Sequence, residues 1–318
     1  MTAPVNAHKR SLLQVGPLPP GLEAALHRAY RIVPLWTQAD RAAFLADQRG
    51  RFDGAVTMSR HGADAAVFDC LGPGVLACFG TGFDGIDLAA AARAGCAVST
   101  TPDVLSECVA DLAFGLLVST ARQIVAADRF VRAGAWAKGS FGLGTRVWGK
   151  RLGIVGLGRI GSAIARRADG FGMQVRYQGR QAHEGVAGDF EPDVRALAAW
   201  SDFLVLACRG GPATRHLVAA EVLRALGPEG ILVNISRGSV VDQAALAATL
   251  AQGHIAGAGL DVFEHEPQVP EALLADERVV LLPHIAASTR ETRAAMEHLV
   301  MDNLQAFFDT GRVLTPPA

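Results

Sequence analysis

Short apolar runs alternate with amphipathic stretches along the whole chain. The spacing predicts strands over Leu12–Val15, Ile32–Leu35, Ala55–Met58, Val75–Phe79 and Ala97–Thr100. Helical patterns fill Gly21–Tyr30 and Ala39–Gln48, and a long one runs from about Ser106 to Gln123 with Val109, Leu112, Ala113 and Leu116 on one face. A second series starts near residue 150. Its predicted strands are Leu152–Val155, Val175–Tyr177, Phe203–Ala207, Ile231–Ile235, Gly257–Val262 and Val279–Leu282. Its predicted helices are Ile160–Phe171, Val194–Trp200, Ala219–Leu226, Asp242–Gln252 and a closing Thr289–Phe308. Strands this apolar, alternating with helices, imply α/β architecture with parallel sheets covered on both faces. Two α/β domains are expected, 1–101 completed by 285–318, and 102–284.

Composition narrows the function classes. Thirty Lys+Arg against 31 Asp+Glu leave a net charge of −1, which argues against a broadly basic nucleic-acid binder. No apolar run is long enough for a membrane span, and the opening MTAPVNAHKRSLLQVG lacks the apolar stretch of a secretory leader. Five cysteines without a C-x-x-C pair read as reduced thiols of a cytoplasmic protein, with no metal knuckle. The 35 glycines exceed the roughly 7% of an average chain and point to tight turns or to backbone approaching a ligand.

One glycine cluster has a defined chemistry. Strand Leu152–Val155 runs into Gly156-Leu157-Gly158-Arg159-Ile160-Gly161 and then into a helix. In this strand–turn–helix context G-x-G-x-x-G is a dinucleotide-binding turn. Gly156 permits the turn, Gly158 lets backbone approach a pyrophosphate, and Gly161 lets helix and strand pack closely. The following strand ends in Gln178-Gly179-Arg180, where an acid would bind the ribose hydroxyls of NAD. Without that acid a 2′-phosphate meets no repulsion, and Arg180 can hydrogen-bond it. The expected cofactor is therefore NADPH, with NADH as second choice. Cys208 and Ile235, at the ends of two further strands, are expected to line the same cleft.

Three later strands end in charged segments, where open α/β sheets bind ligands: Arg237 in Asn234–Asp242, Glu266 in Gly257–Pro267 and His284 in Leu281–Thr292. Singly, each residue has a bland reading as a loop arginine, a turn glutamate or a core histidine. Together they form a plausible acid–base and carboxylate-binding set.

At this point the sequence resembles the D-isomer-specific 2-hydroxyacid dehydrogenase family. The resemblance is carried by VGLGRIG at Val155–Gly161, N-I-S-R-G-x-x-V-D at Asn234–Asp242, G-L-D-V-F-E-x-E-P at Gly259–Pro267 and L-P-H-I-A-x-S-T at Leu282–Thr289. G-x-G-x-D at Gly80–Asp84, T-P-D-V-L at Thr101–Leu105, V-A-D-L-A at Val109–Ala113 and D-R-F-V-R-x-G-x-W at Asp128–Trp136 also match. These motifs span roughly residues 55–310, and the most similar subgroup is the NADPH-dependent glyoxylate/hydroxypyruvate and hydroxyphenylpyruvate reductases. The resemblance implies two Rossmann-like parallel-sheet domains, one dinucleotide-binding and one flavodoxin-like substrate domain, with a cleft between them. It implies reduction of a small 2-oxo acid to the D-2-hydroxy acid. His284 would be the general acid, Glu266 would hold its imidazolium, and Arg237 would grip the carboxylate and keto oxygen. The backbone amides of Thr81 and Gly82 would take the carboxylate's other side, Asp261 would contact nicotinamide or its ribose, and Asp84 would be structural. Trp136 would lie in the arm of a homodimer.

Two alternatives on the same fold are weighed here. Formate dehydrogenases resemble the chain but carry Gln where Glu266 stands. Dinucleotide-sensing corepressors keep a similar Arg–Glu–His set, but the chain adds no tail or linker to the two-domain core. No metal, nucleic-acid or membrane partner is expected.

Overall fold

A computed structural model describes residues 9–182 and 188–317. Residues 1–8, the start of the stretch read for a leader, lie outside the described residues. The chain forms two compact units, one comprising the segment up to Leu105 together with that from Thr289, the other Ser106–Ser288.

The first unit is built on β1 (Ser11–Gln14), β2 (Arg31–Pro34), β3 (Gly54–Met58), β4 (Val75–Phe79) and β5 (Ala97–Ser99). The sheet order is β2-β1-β3-β4-β5, every pair parallel. This is the flavodoxin-like doubly wound order. The inner strands are largely apolar because both faces are covered; Leu12, Leu13, Val56 and Leu76 are fully buried. Its short helices start on carboxylate caps: Asp40 accepts from the Ala43 amide, Asp64 from Val67 and Asp87 from Ala90. The closing helix, Arg290–Thr310, starts on the Thr289 hydroxyl and packs on β4.

The second unit contains β6 (Arg151–Val155), β7 (Gln174–Gln178), β8 (Asp189–Phe190), β9 (Phe203–Leu206), β10 (Ile231–Asn234), β11 (Gly257–Leu260) and β12 (Val279–Leu281). Among the described residues they form one parallel sheet in the order β12-β11-β10-β9-β6-β7-β8. Strand order reverses between β6 and β9, and a doubly wound sheet opens its ligand crevice at such a reversal.

The predicted long helix is found as Ser106–Ala121, and a helix the pattern did not predict, Ile124–Arg132, follows it at a bend of 59°. Gln123 takes a left-handed φ of 53° at the break, with no glycine or proline to announce it. The second helix has no buried residue; beyond it Trp136 is 70% and Leu143 97% exposed. Among the described residues no single helix is long and apolar enough to cross a membrane. No disulfide joins any of the five cysteines, all of them among the described residues, and burial pushes the thiols of Cys70 and Cys96 up to about 11 and about 12.

Candidate active site

The glycine turn follows β6 directly. Gly156 has φ +94°, and a Cβ there would lie 2.5 Å from the Cys208 Cα, so the turn presses against the chain leaving β9. A Cβ on Gly161 would lie 2.1 Å from the Gly156 carbonyl oxygen, so this glycine serves packing. Gly158 differs, because a Cβ there would meet nothing within 4 Å. It is exposed and begins helix Arg159–Gly170 without a side-chain cap. The first amides of a 12-residue helix are thus left for an anion beside an open backbone. These features fit a dinucleotide pyrophosphate at the turn.

Around that turn, Leu157 and Ile235 are buried, while Arg159 is exposed and Ile160 half-buried. The Gly156 amide donates to the Gln178 carbonyl at 2.8 Å, bringing the end of β7 alongside. Gly179 and exposed Arg180 follow at once, with no carboxylate between Gln178 and Gln181. Burial pushes the Cys208 thiol up, while a hydrogen bond with the Ser236 hydroxyl opposes the rise. A thiol held in this way is no nucleophile.

The charged set grows from three adjacent strands. Asn234 pairs with Leu260, and Leu260 with Leu281, so the loops after β10, β11 and β12 leave the same sheet edge. The Asn234 side chain shapes the first loop, accepting from the Ser236 amide at 3.0 Å and donating to the Arg237 carbonyl at 3.0 Å. A Cβ on Gly238 would lie 1.9 Å from the Phe263 carbonyl carbon, so only glycine lets the Arg237 loop rest on the second loop. There Glu266 accepts from the Phe263 amide at 3.0 Å, and its other oxygen meets His284 Nδ1 at 2.8 Å.

Electrostatics match this geometry. Burial raises the Glu266 carboxyl, but the His284 hydrogen bond and charge, the Phe263 amide and the Arg237 charge outweigh it and hold it below its ordinary value. Glu266 is therefore a carboxylate at neutral pH. With Nδ1 engaged, the imidazole keeps Nε2 for a proton transfer to a ligand. His284 itself adopts a left-handed φ of 55°.

Asp261 holds that backbone: it is fully buried, and its two oxygens accept from the amides of Ile285 and Ala286 at 2.8 and 2.9 Å. Burial raises its carboxyl, and those two amides work against the rise. Its observed task is to clamp the His284 loop.

Sequence reasoning also passed over Glu264. One of its oxygens accepts from Arg215 Nη2 at 2.8 Å and lies 3.0 Å from His216 Nε2. Its presence two residues before Glu266 was the only available signal, because nothing local in sequence joins it to residues 215 and 216.

In the first unit, the loop after β4 places Thr81 and Gly82 behind Gly80. Gly80 has φ +135°, and a Cβ there would lie 2.0 Å from the Ser59 hydroxyl oxygen. Its amide donates to the Thr101 hydroxyl at 3.0 Å. Among the described residues, the Thr81 and Gly82 amides have no backbone acceptor.

Comparison with known proteins agrees with this geometry. Residues 114–286 match the model of the D-isomer specific 2-hydroxyacid dehydrogenase NAD binding domain. The chain is 44% identical over 306 residues to a hydroxyphenylpyruvate reductase of Plectranthus scutellarioides, covering 96% of this chain and 98% of that protein. It is 40% identical over 310 residues to a 2-ketogluconate reductase of Gluconobacter oxydans, covering 97% and 98%. An NADPH-dependent glyoxylate/hydroxypyruvate reductase of Sinorhizobium meliloti, solved with NADP and malonate, superposes with TM-score 0.90 at 43% identity, covering 97% of this chain and 96% of that one.

Proposed function

The chain belongs to the D-isomer-specific 2-hydroxyacid dehydrogenase family, whose chemistry is NAD(P)-linked, and on that premise we propose that it reduces small 2-oxo acids to D-2-hydroxy acids with NADPH. The observation that carries this reading is the His284–Glu266 pair, 2.8 Å apart, on the sheet edge that also bears Arg237. Glyoxylate, hydroxypyruvate and aryl pyruvates, the substrates in the names of its relatives, are the candidates.

The cofactor, when bound, supplies a hydride to the carbonyl carbon. His284 gives its Nε2 proton to the carbonyl oxygen, so the C=O becomes CH–OH. Glu266 stabilises the imidazolium before transfer and fixes the ring's orientation. Arg237 binds the carboxylate with its planar fork and polarises the keto oxygen. The amides of Thr81 and Gly82 are assigned to substrate binding. Asp261 keeps the His284 backbone in place and is also assigned to the nicotinamide or its ribose.

Gly156, Gly158, Arg159 and the uncapped first turn of helix Arg159–Gly170 are assigned to the pyrophosphate. Leu157, Ile160, Cys208 and Ile235 line its surroundings, and Gly161 packs beneath. Gly179 leaves room for a 2′-phosphate and Arg180 binds it. The exposed apolar surface of Ile124–Arg132, Trp136 and Leu143 supports self-association as a homodimer. Five cysteines without a disulfide suit a reducing, cytoplasmic setting.

The test is NADPH and NADH oxidation with a panel of glyoxylate, hydroxypyruvate, pyruvate, phenylpyruvate and hydroxyphenylpyruvate. At least one acid should be turned over, with kcat/KM about tenfold or more in favour of NADPH, the worth of one screened charged hydrogen bond. Arg180→Ala should erase most of that preference. Equal use of both cofactors by the wild type contradicts the assignment of Arg180. No turnover of any acid, with tight dinucleotide binding retained, favours the corepressor-like reading.

A further inference from the structure

We propose that Glu264 is a positioning residue for the acid–base pair: it ties the Phe263–Glu266 segment to the Arg215–His216 loop and thereby fixes the orientation in which Glu266 meets His284. This rests on the reductase reading above.

Four observations on the second unit carry it. First, Glu264 is largely buried, its side chain 13% exposed, yet a single oxygen serves both Arg215 and His216. Burial raises its carboxyl, but those two partners prevail and keep it ionised. Second, the partner loop is itself held in an uncommon shape. His216 takes a left-handed φ of 49°, with its amide donating to the Ser239 carbonyl at 2.8 Å and the Val218 amide to Val240 at 3.0 Å. The loop is thus sewn to the residues that directly follow Arg237-Gly238.

Third, a Cβ on Gly238 would lie 2.2 Å from the Glu264 amide nitrogen, so the Arg237 loop rests on the peptide that bears Glu264. Fourth, the same short segment turns back on itself two residues later, where Glu266 accepts from the Phe263 amide before reaching His284. Residues 263–266 therefore carry two carboxylates with opposite duties: one anchors the segment to a neighbouring loop and the other engages the imidazole. Asp261 clamps the His284 backbone from one side. Glu264 is the corresponding clamp on Glu266.

An ordinary structural ion pair would predict something else. Arg215 is more than half exposed, and exposed pairs contribute little to stability. A structural role would show only as a lower Tm, with unchanged turnover per folded molecule.

The test is a cycle of Glu264→Ala, Glu266→Gln and the double variant, measured as kcat and KM with NADPH and the 2-oxo acid the wild type uses best. We expect Glu264→Ala to lower kcat by about tenfold with little change in KM, and Glu264→Gln, which keeps an acceptor oxygen, to restore most of it. The double variant should be no slower than Glu266→Gln alone, since residues acting through one another are non-additive. Multiplying losses, or a Glu264→Ala kcat like the wild type's, would overturn the proposal. If Glu264→Ala fails to fold, His216→Ala and Arg215→Ala together cut the same tie and carry the same expectations.

An independent readout needs no turnover. The imidazole ¹⁵N resonances of His284 in the ligand-free protein should change in Glu264→Ala and return in Glu264→Gln; unchanged resonances contradict the tie. Failure of the wild type to reduce any 2-oxo acid would instead count against the reductase reading, and the resonances would still decide this one.

Discussion

The two units end their parallel sheets in loops of opposite character. After β4 the Gly80–Gly82 loop presents backbone amides and carries no charged side chain; a threonine hydroxyl holds its first amide. After β10, β11 and β12 the second unit presents Arg237, Glu266 and His284, each kept in place by groups behind it. The doubly wound fold explains where both loops lie but not why one is neutral and the other charged. The difference lies in the support. Charges can be oriented where Asn234, Asp261 and the Phe263 amide are available to hold their loops. In the neutral loop the orienting is done by the φ of one glycine and by its hydrogen bonds with Thr101.

This comparison can be broken by exchanging what each side depends on. The largest effect is expected on the charged side. Arg237→Lys keeps the charge but loses the planar fork, and kcat/KM should fall about tenfold to hundredfold, the equivalent of one charged hydrogen bond at about 1.5–3 kcal/mol. Steady-state kinetics check it, and an unchanged kcat/KM would remove Arg237 from the carboxylate.

A smaller effect is expected on the neutral side. Gly80→Ala meets both a positive φ and the Ser59 hydroxyl, a local strain of about 1–3 kcal/mol. KM for the 2-oxo acid should rise about tenfold, as for one weakened charged contact, while kcat changes little. A fall in kcat at constant KM would mean the loop serves chemistry and not binding.

The smallest effect concerns acid stability. The folded Glu266 carboxyl titrates below its unfolded value. Its stabilisation is therefore complete above about pH 4.3, the ordinary glutamate value, and is lost as pH falls through the depressed folded value. The Tm deficit of Glu266→Gln relative to wild type should close on acidification. That of Gly80→Ala should stay constant with pH, because no titrating group causes it. Tm measured across pH separates the two, and parallel curves would contradict the contrast between the loops.

Much of the fold was legible because buried parallel strands are apolar runs and their helices are amphipathic. Val75–Phe79 and Val194–Trp200 are found with the bounds their patterns predict. Elements shaped by single groups were not legible. Helices Ala65–Asp69 and Leu88–Arg93 are too short for a period and depend on their Asp64 and Asp87 caps. β8 is a two-residue edge strand. Helix Ile124–Arg132, beyond the break at Gln123, was not predicted; it has no buried residue. In the candidate site, Arg237, Glu266 and His284 stood out as charges at strand ends. Asp261 stood out in the same way, but its hold on the His284 loop was not legible, since the amides that engage both its oxygens come from residues 285 and 286, far along the chain. Glu264 was overlooked for the same reason, its partners lying nearly fifty residues earlier.

The central claim is that a carboxylate-held imidazole protonates the carbonyl oxygen as hydride arrives. The most direct measurement is the kcat of His284→Ala beside wild type, with NADPH binding followed separately. The account predicts a fall of about 10²-fold or more, the scale of a lost general acid, with dinucleotide affinity intact. Wild-type turnover in His284→Ala would contradict it.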